Sequence, residues 1–494
     1  MIRPLTSFSL ALSEVAHLVG ADFDSQDNVQ ITGVAQRDSE IEPGDLFLAF
    51  PGAKVHGAKF ADVAKKNGAV AILTDAEGAA LSTGLPAIVV SDVRVAGAIV
   101  ASSLYKDPTR DLHSIGITGT NGKTTVTTLL HQIFQAAGHE AGLIGTVETR
   151  IGSEVIPSTR TTPEAADLQS LTAAMRERHM RHLVMEVSSH AIALKRIKGS
   201  HFSIVGFTNL SQDHLDFHGD MESYFEAKAK LFTFEYAECG FINIDSEYGS
   251  RLAAQCDIPV VTISRSNKSA TWHFSEIHTG PTGTQLSIRG IEGILIESKT
   301  QLFGNYNSDN LLMAVAIAHA SGVDPVELAT IIPHLIGAPG RLEPVSIGQD
   351  FTALVDYAHS PDAVTNVLAA AREFTSGRVI AVLGCGGDRD KGKRPLMGKA
   401  LLNGSDIAIF TSDNPRSEDP LDILKDMTGG QVLPESSQII SERDEAIQRA
   451  VALAKAGDTV LILGKGHEIG QEIKGVTTPF DDRFQLARAI EGRR

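Results

Sequence analysis

A glycine-rich turn with a lysine and a threonine stands directly after an apolar run. The apolar run covers residues 115–117, and the sequence GTNGKT fills residues 119–124. Glycines allow backbone N–H groups to approach phosphate oxygens, and the N-terminus of a following helix adds the positive end of its dipole. Lys123 is expected to contact the β- and γ-phosphates of a nucleotide, and Thr124 to ligate Mg²⁺. The loop is shorter than the strict phosphate-loop pattern, because Ile117 stands where that pattern has its first glycine.

Two further segments carry acidic and imidazole groups that suit a magnesium ion. Glu186 follows an apolar run, and His214 lies in residues 207–219, which are dense in Asp, Asn, Ser and His. Mg²⁺ takes few protein ligands and keeps several waters, so Glu186 and His214 are candidate ligands beside the nucleotide. Taken alone, His214 is equally typical of an ordinary loop, and Lys228, on a helix expected over 221–232, is typical of a solvated lysine.

Three basic and polar clusters follow strand-like runs in the last third of the chain. They cover residues 384–394, 413–416 and 464–468, and the first two contain arginine. The guanidinium group is suited to bidentate recognition of a carboxylate or a phosphate. A solvated turn explains any one cluster, but three at strand ends in one domain indicate a site for a second, charged substrate.

Seven apolar runs typical of buried strands each end at one of these polar groups. The runs cover residues 115–117, 183–185, 204–207, 353–355, 379–383, 407–410 and 460–463. Alanine-rich stretches typical of helices alternate with them, which predicts an α/β architecture. In open α/β sheets, ligands bind outside the carboxyl ends of the strands. We therefore expect the polar groups to form a composite site in a cleft.

Length and composition exclude several classes of protein. The 494 residues fit about three domains, which we expect at 1–107, 108–338 and 339–494. There are 60 acidic and 44 basic residues, a net charge of -16, so the overall basic footprint of a nucleic-acid-binding protein is absent. Three widely spaced cysteines give neither a disulfide framework nor a zinc site. No apolar run approaches the roughly 18 residues of a membrane span, and a cytoplasmic location is expected.

Six motifs together resemble the Mur ligases of peptidoglycan synthesis, over essentially the whole chain. The motifs are residues 118–125 (TGTNGKTT), 186–190 (EVSSH), 209–214 (NLSQDH), 304–310 (GNYNSDN), 356–362 (DYAHSPD) and 413–416 (DNPR). The resemblance implies a three-domain α/β architecture. An N-terminal domain would bind the UDP end of the substrate, a central P-loop domain would be the ATPase, and a Rossmann-like C-terminal domain would bind the incoming amino acid.

The resemblance also implies the reaction, which is ATP-dependent formation of an amide bond. With ATP as co-substrate and Mg²⁺ as cofactor, the γ-carboxylate of D-glutamate in UDP-N-acetylmuramoyl-L-alanyl-D-glutamate becomes an acyl phosphate. The amine of meso-diaminopimelate then displaces phosphate. Such chemistry needs positioning and charge neutralisation more than a protein nucleophile. A monomer is expected, with no nucleic-acid partner and no membrane span.

The family's functional positions carry over motif by motif. The ATP-binding positions are Gly119, Thr120, Asn121, Gly122, Lys123, Thr124 and Thr125, with Asn307 at the adenine. The UDP-substrate positions are Val34, Gln36, Ala53, Lys54, Val55, Thr161, Thr162, Ser188 and Arg196. The diaminopimelate positions are Arg389, Asp413, Asn414, Pro415, Arg416, Gly464 and Glu468. The metal positions are Thr124, Glu186, His214 and Lys228, the last as a carbamylated lysine, and the catalytic positions are Lys123, His214 and Lys228.

Two positions depart from the family pattern. Leu194 stands where relatives often carry glutamine, and Gln36 where many carry serine. Both departures concern single contacts of the UDP-substrate and leave the substrate class as it stands.

One arginine favours diaminopimelate over L-lysine as the amino acid that is added. Diaminopimelate has an extra carboxylate beside its distal ammonium, and Arg416 offers a guanidinium to pair with it. Lysine would leave that charge without a partner, which costs several kcal/mol when the charge is buried. By resemblance, Glu468 is the partner of the distal ammonium.

Three alternatives stay open at this point. They are an L-lysine-adding ligase of the same family, a folylpolyglutamate synthase, which shares the loop and the acyl-phosphate chemistry, and a binding module that uses the loop as a nucleotide switch. Residues 1–107 ahead of the loop and the cluster 413–416 argue against the synthase. The basic clusters of the last third argue against a simple switch.

Overall fold

The computed structural model describes residues 2–22, 29–52, 55–82, 84–280, 283–429 and 433–493. The chain forms two compact units. Unit 1 comprises Met1–His273, Arg289–Ile294 and Leu312–Leu328, and unit 2 comprises Phe274–Ile288, Leu295–Leu311 and Ala329–Arg494. The predicted three-domain division at residues 107 and 338 stays a prediction.

Unit 1 alternates short strands with helices. Its strands are β1 (Leu10–Ala11), β2 (Gln30–Ile31), β3 (Gly33–Ala35), β4 (Asp45–Leu48), β5 (Ala71–Thr74), β6 (Ala87–Val89), β7 (His113–Thr118), β8 (Ala141–Ile144), β9 (Glu148–Ile151), β10 (Glu154–Pro157), β11 (His182–Glu186), β12 (Phe202–Phe207), β13 (Ala237–Asn243) and β14 (Val260–Ser264). Its helices are α1 (Leu12–Leu18), α2 (Ala61–Asn67), α3 (Ala76–Leu81), α4 (Val93–Leu104), α5 (Pro108–Asp111), α6 (Lys123–Ala136), α7 (Ala165–Glu177), α8 (Ser189–Ala193), α9 (Leu215–His218), α10 (Met221–Ala229) and α11 (Glu247–Gln255).

Four elements contain residues of both units, and the strands and helices that remain belong to unit 2. The four are β15 (Trp272–Gly280), β16 (Gly283–Arg289), α12 (Asn305–Ala320) and α13 (Pro325–Ile331). The strands of unit 2 are β17 (Leu295–Thr300), β18 (Glu343–Pro344), β19 (Thr352–Asp356), β20 (Val379–Cys385), β21 (Ile407–Ser412), β22 (Gln438–Ile439), β23 (Thr459–Leu463), β24 (Gly470–Ile473) and β25 (Val476–Pro479). Its helices are α14 (Pro361–Phe374), α15 (Lys393–Gly404), α16 (Pro420–Thr428), α17 (Arg443–Leu453) and α18 (Asp482–Arg493).

A parallel sheet forms the centre of unit 1. The strands that unit 1 alone contributes to this sheet lie in the order β10-β9-β8-β11-β7-β12-β13-β14, in which the antiparallel pairs are β10 with β9 and β9 with β8. The register pairs Glu186 with Ile117 and Phe207 with Thr118. The carboxyl ends of β11, β7 and β12 therefore lie side by side.

A strand, a glycine turn and an amphipathic helix build the centre of this sheet. All of β7 except its first residue is buried, and α6 begins after Gly122, whose φ of +89° is left-handed and costs a glycine little. The buried face of α6 includes Val126, Leu130 and Phe134, which are four residues apart and so lie on one side of the helix. A separate four-stranded parallel sheet, β3-β4-β5-β6, lies nearer the N-terminus.

Unit 2 is built on a six-stranded sheet in the order β18-β19-β23-β20-β21-β22. All its strands run parallel except β18 at one edge. The register pairs Leu463 with both Asp356 and Leu383, and Cys385 with Ser412. Buried apolar side chains form one cluster with α14, α15 and α16 and another with α17 and α18. Here too, neighbouring strand ends are brought to one edge of the sheet.

The structure confirms the predicted α/β class and the strands expected before the polar groups. The seven apolar runs fall within β7, β11, β12, β19, β20, β21 and β23. Within the described ranges, no helix is long and apolar enough to cross a membrane.

Two buried histidines of unit 1 predict that stability falls on mild acidification. Burial lowers the pKa of His182 and of His131 to about 4 from the ordinary 6.5, and each residue is 6% exposed. The unfolded chain takes up these protons at higher pH than the folded chain does. The contribution of these two histidines to the free energy of unfolding is therefore fully present above about pH 6.5. It falls between about pH 6.5 and pH 4, by up to about 1.4 kcal/mol per pH unit for each histidine.

Replacing His182 by glutamine removes one titrating group, so His182→Gln should lose less stability on acidification. The measurement is the free energy of urea unfolding at about pH 7 and about pH 5. The exposed His17 supplies the control, His17→Gln, whose pH dependence should match the wild type. An unchanged pH dependence in His182→Gln would contradict the assignment.

Candidate functional site

The glycine turn after β7 is held by the segment that follows β12. Gly119 has a φ of +145°, and a Cβ there would lie 1.9 Å from Oγ1 of Thr208. The Thr120 N–H donates to the backbone oxygen of Asn209 at 2.9 Å, and the Asn121 N–H donates to its side-chain oxygen at 3.0 Å. Because only glycine fits at residue 119, the turn keeps its backbone close to the neighbouring strand end.

Two lysines point at one backbone oxygen of this turn. Lys123 Nζ donates to the carbonyl oxygens of Gly119 and Thr120, each at 2.8 Å. Lys228 Nζ donates to the same Gly119 oxygen at 2.9 Å. The ammonium of Lys123 thus brings positive charge to the turn, which suits an anion such as a phosphate.

Lys228 is a buried lysine, so the interpretation of it as a solvated side chain was wrong. It is 1% exposed, and its ammonium lies 4.6 Å from the centroid of the Tyr224 ring. Burial, reinforced by the charge of Lys123, lowers the pKa of Lys228 well below its usual range, while Asp213 raises it. Helix α10 ends at Ala229, short of the predicted residue 232. Beyond it, the N–H groups of Leu231 and Phe232 donate to carbonyl oxygens three residues back, instead of the four of an α-helix.

Glu186 joins the end of β11 to the phosphate-loop helix. It is 1% exposed, and its Oε2 accepts from Thr124 Oγ1 at 3.0 Å. Its Oε1 accepts from the Thr146 N–H at 2.7 Å, and Oε2 also accepts from the Thr146 hydroxyl at 3.0 Å. A hydroxyl and a carboxylate in contact at the end of a phosphate loop are hard oxygen donors, and they fit Mg²⁺.

His214 lies in a group of aromatic and imidazole rings. Its backbone is left-handed, with a φ of +53°, and its ring centroid lies 4.8 Å from that of His190. Burial lowers the pKa of His214, with smaller contributions in the same direction from Lys123 and Lys228, while Asp213 raises it. Among the residues that the structure describes, no three His, Cys, Asp or Glu side chains are grouped to hold a metal. The predicted set of Thr124, Glu186, His214 and Lys228 is thus brought together only in part, as the Thr124–Glu186 pair.

The threonine and serine predicted to touch the UDP-substrate lie beside Glu186. Thr162 Oγ1 donates to the Glu186 backbone oxygen at 2.9 Å and accepts from the Ser188 N–H at 3.1 Å. Thr161 Oγ1 lies 3.1 Å from that of Thr146. These contacts gather the hydroxyls at the end of β11.

Three arginines surround one buried carboxylate, that of Glu164. Arg196 Nε lies 3.0 Å and Arg94 Nη1 2.9 Å from this carboxylate, and Arg160 contacts the same group. Glu164 is 7% exposed. One carboxylate cannot neutralise three guanidinium groups, so the cluster keeps two positive charges. A small pocket is lined by Arg94, Glu164 and Arg196, together with Leu194.

The predicted uridine-end positions are only partly described. Val34 lies on β3 with its side chain fully buried, Gln36 is partly buried, and Val55 is 45% exposed. Ala53 and Lys54 lie outside the described residues. A buried Val34 side chain leaves its backbone as the part available for a contact.

Asn307 belongs to unit 2, at the start of α12. It is 1% exposed, and its Nδ2 donates to the Phe303 oxygen at 2.9 Å. Within the described part of the chain, its Oδ1 is buried without a hydrogen-bond partner. An unsatisfied amide oxygen suits a ligand that carries an exocyclic amine, as adenine does.

The polar groups that follow β21 and β23 form one network in unit 2. Lys465 Nζ lies 3.1 Å from Asn414 Oδ1, 3.1 Å from Glu468 Oε2 and 4.0 Å from Asp413 Oδ1. Asn414 Nδ2 donates to Glu468 Oε2 at 2.8 Å. A Cβ on Gly464 would lie 2.7 Å from Asp413 Oδ2. Burial raises the pKa of Asp413, while Arg443 and Lys465 lower it.

Arg416 borders the same region with a constrained backbone. Its φ is +53°, and its Nη1 donates to the Gly387 oxygen at 2.7 Å. Its Nε lies 3.5 Å from Glu472. A Cβ on Gly386 would lie 3.0 Å from Arg416 Nη1 and 3.6 Å from Arg389 Cγ, so the glycine loop and both arginines are neighbours. The Pro415 backbone packs against Gly387 in this turn.

A buried ion pair supports the strand ends that carry this network. Arg443 and Asp482 are each fully buried and form two hydrogen bonds, at 2.7 Å and 2.6 Å. The remaining donors of Arg443 reach the last backbone oxygens of two strands, Ser412 at 3.1 Å and Leu463 at 2.9 Å. Arg443 thus holds β21 and β23 at the points where Asp413 and Gly464 follow.

Sequence reasoning gave no individual role to several residues of these networks. They are Arg94, Thr146, Arg160, Tyr224, Arg443 and Lys465. Lys465 lies inside the polar cluster 464–468, so that motif could have identified it as a site residue. Arg443 begins α17, away from any motif, and only the packing identifies it.

Known proteins resemble the chain over nearly its full length. Three family profiles match, the Mur ligase family catalytic domain over residues 30–104, the Mur ligase middle domain over 117–318 and the Mur ligase glutamate ligase domain over 340–466. Two relatives, each named UDP-N-acetylmuramoyl-L-alanyl-D-glutamate--2,6-diaminopimelate ligase, come from Streptomyces coelicolor and Streptomyces avermitilis. They are 48% and 47% identical over 497 residues, which is 99% of this chain and 98% of each relative. A solved structure of a ligase with that name has a TM-score of 0.73 at 32% identity, and covers 98% of this chain and 99% of its own.

The burial of the Arg443–Asp482 pair predicts a large cost when one partner is removed. Arg443→Ala leaves a fully buried carboxylate without its cation, which should lower the free energy of unfolding by about 3–5 kcal/mol. The control is Arg372→Ala, since Arg372 pairs with Asp406 at a similar 2.7 Å but with exposures of 46% and 41%. Its cost should stay below about 1 kcal/mol. Equal losses for the two variants in urea unfolding would contradict this supporting role.

Proposed function

The chain belongs to the Mur ligase family, and we propose that it is the ATP-dependent ligase that joins meso-diaminopimelate to UDP-N-acetylmuramoyl-L-alanyl-D-glutamate. The observation that carries the proposal is the 48% identity, across 99% of the chain, to a ligase named for these substrates. The two polar networks, one of unit 1 and one of unit 2, offer the charges that a nucleotide and a diamino diacid need. The reaction belongs to peptidoglycan synthesis.

We assign the turn after β7 to the phosphates of ATP. The backbone of residues 119–125 and Lys123 would surround the phosphate oxygens, and Asn307 would accept from the adenine amine. Thr124 and Glu186, with His214 and Lys228, would hold Mg²⁺, which would supply neutralisation of the phosphate charge. The ammonium group of Lys123, now on the Gly119 oxygen, would turn to the phosphates as ATP enters.

We assign the cluster around Glu164 to the acidic end of the UDP-substrate. Arg196, with the hydroxyls of Thr162 and Ser188, would hold the D-glutamate residue, and the excess positive charge of the arginine cluster supports this. Holding the carboxylate beside the γ-phosphate converts a bimolecular step into an effectively intramolecular one.

The reaction then proceeds in two steps. A γ-carboxylate oxygen of the D-glutamate attacks the γ-phosphorus of ATP, the bond to the bridging oxygen breaks, and ADP leaves. A neutral amine of diaminopimelate attacks the acyl carbon, loses its proton, and phosphate departs with one oxygen of the former carboxylate. The chain's own groups orient the reactants and balance charge, and none of them needs to form a covalent bond with the substrate.

Lys228 is the residue that we propose to carry a carbamate. Its neutral amine would add to carbon dioxide and lose a proton, which converts a cation into a carboxylate-like anion. A lowered pKa supports this, since only the neutral amine can react. The resulting oxygens suit a second magnesium ion.

The network of unit 2 is the proposed site of the amino acid. Arg416, with Arg389 nearby, would pair with the distal carboxylate of diaminopimelate, and Glu468 with its distal ammonium. Lysine lacks that carboxylate, so the lysine-adding alternative gives Arg416 no ligand. The folylpolyglutamate alternative is not favoured, because the named relatives match this chain along 99% of its length.

Product masses test the proposed function and its specificity. Incubated with ATP, Mg²⁺ and UDP-N-acetylmuramoyl-L-alanyl-D-glutamate, the protein should yield the diaminopimelate adduct, with kcat/KM for lysine lower by about 100-fold or more. Arg416→Ala should lose most of the activity with diaminopimelate and gain none with lysine. Arg372→Ala, an exposed arginine of the same unit, is the control. Equal use of lysine by the wild type, or unchanged diaminopimelate use by Arg416→Ala, would contradict the specificity.

Replacement of Lys228 tests the carbamate. Lys228→Ala should lower kcat by roughly 10- to 100-fold, because the anionic ligand is lost, and formate or acetate should restore part of the activity. Lys230→Ala, an exposed lysine two residues away, should be unaffected. Full activity of Lys228→Ala without added carboxylate would contradict this role.

A further inference from the structure

We propose that Lys465 is a positioning residue that fixes Glu468 to receive the distal ammonium of the amino acid. The proposal rests on the proposed function and adds a residue to it. Lys465 would not touch the substrate itself. It would act through Glu468 and so determine how well the site distinguishes an amino acid with a distal amine from one without it.

Lys465 is completely buried, which is unusual for a lysine and requires partners. The ammonium has three, Asn414 Oδ1 and Glu468 Oε2, each at 3.1 Å, and Asp413 Oδ1 at 4.0 Å. These partners come from two different strand ends, those of β21 and β23. The ammonium therefore joins the two halves of the proposed amino-acid site.

The amide of Asn414 has only one orientation that satisfies its neighbours. Its Oδ1 accepts from Lys465 Nζ and from the Glu472 N–H at 2.9 Å, so its Nδ2 must face Glu468 Oε2, at 2.8 Å. Glu468 Oε2 thus accepts from both Lys465 and Asn414. Both contacts fall on Oε2, so the other oxygen, Oε1, takes no part in them.

The charges of the network do not balance. The cations are Lys465 and Arg443, and the carboxylates are Asp413, Glu468 and Asp482, of which Asp482 is paired with Arg443. With all five groups ionised, one negative charge remains. Glu468 is the most exposed of the three carboxylates, at 35% for its side chain, against 10% for Asp413 and 0% for Asp482. A ligand that brings one ammonium group to Glu468 would make the network neutral.

A comparison of two substrates measures how strongly the site recognises the distal amine. 2-Aminopimelate has both carboxylates of diaminopimelate but lacks the distal amine, so the ratio of the two kcat/KM values measures recognition of that group. A charge-assisted hydrogen bond gives an expected wild-type preference for diaminopimelate of about 10- to 100-fold. In Lys465→Met the preference should fall to within about threefold, mainly through a higher KM for diaminopimelate.

A double-variant comparison separates positioning from a general structural role. Glu468→Gln should also lose the preference, and adding Lys465→Met to it should change the ratio no further, because both substitutions remove the same contact. Lys455→Met, at an exposed lysine of the same unit, is the control and should keep the full preference. Circular dichroism and thermal unfolding check that each variant folds.

The outcomes distinguish this inference from the proposed function. A wild type that uses neither substrate would overturn the proposed function, whereas a wild type with a clear preference that Lys465→Met retains would overturn only the role of Lys465. A drop in kcat of equal size for both substrates would likewise show a purely structural lysine. If Lys465→Met does not fold, Lys465→Gln takes its place. Glutamine keeps a hydrogen-bond donor but lacks the positive charge. A preference for diaminopimelate that Lys465→Gln retains would overturn the proposal.

Discussion

In-register parallel pairing is the constraint on which both sites of this protein depend. Central strands of each large sheet, among them β11, β20 and β23, are buried along their length, so their polar side chains can leave the apolar interior only where a strand ends. The register places Glu186 beside Ile117 and Asp356 beside Leu463, so those ends are level with one another. Turns that follow level strand ends converge, and convergence gives each site its density of charge.

Burial of charge then determines what these turns can do. Lys228 and Lys465 are both lysines removed from water, yet their surroundings differ. Lys228 has a neutral carbonyl and a second cation for neighbours, which favours its neutral amine and hence reaction with carbon dioxide. Lys465 has an amide oxygen and two carboxylates for neighbours, and it links them across two strand ends. The same side chain is thus suited to chemistry in one unit and to positioning in the other.

Local sequence predicted the strands and the glycine turn and helix that follow β7 well, because each rests on short-range rules. The pattern from Ile115 to Phe134 alone specifies a strand, a left-handed glycine and an amphipathic helix. Contacts between distant segments were not predictable in that way. Lys228 has the sequence context of a solvated helix residue, and its contact with Gly119, 109 residues away, exists only in the folded chain. Arg443 and Asp482 are likewise 39 residues apart, and no motif links them.

The central claim is that the carboxylate of D-glutamate is activated by ATP before the amine attacks. The direct measurement is the fate of heavy oxygen placed at both oxygens of the γ-carboxylate of UDP-N-acetylmuramoyl-L-alanyl-D-glutamate, with the released phosphate analysed by mass after reaction with diaminopimelate. The account predicts one labelled oxygen in each phosphate, because the acyl phosphate breaks at its carbon. Phosphate released without label, while the amide product forms, would contradict it.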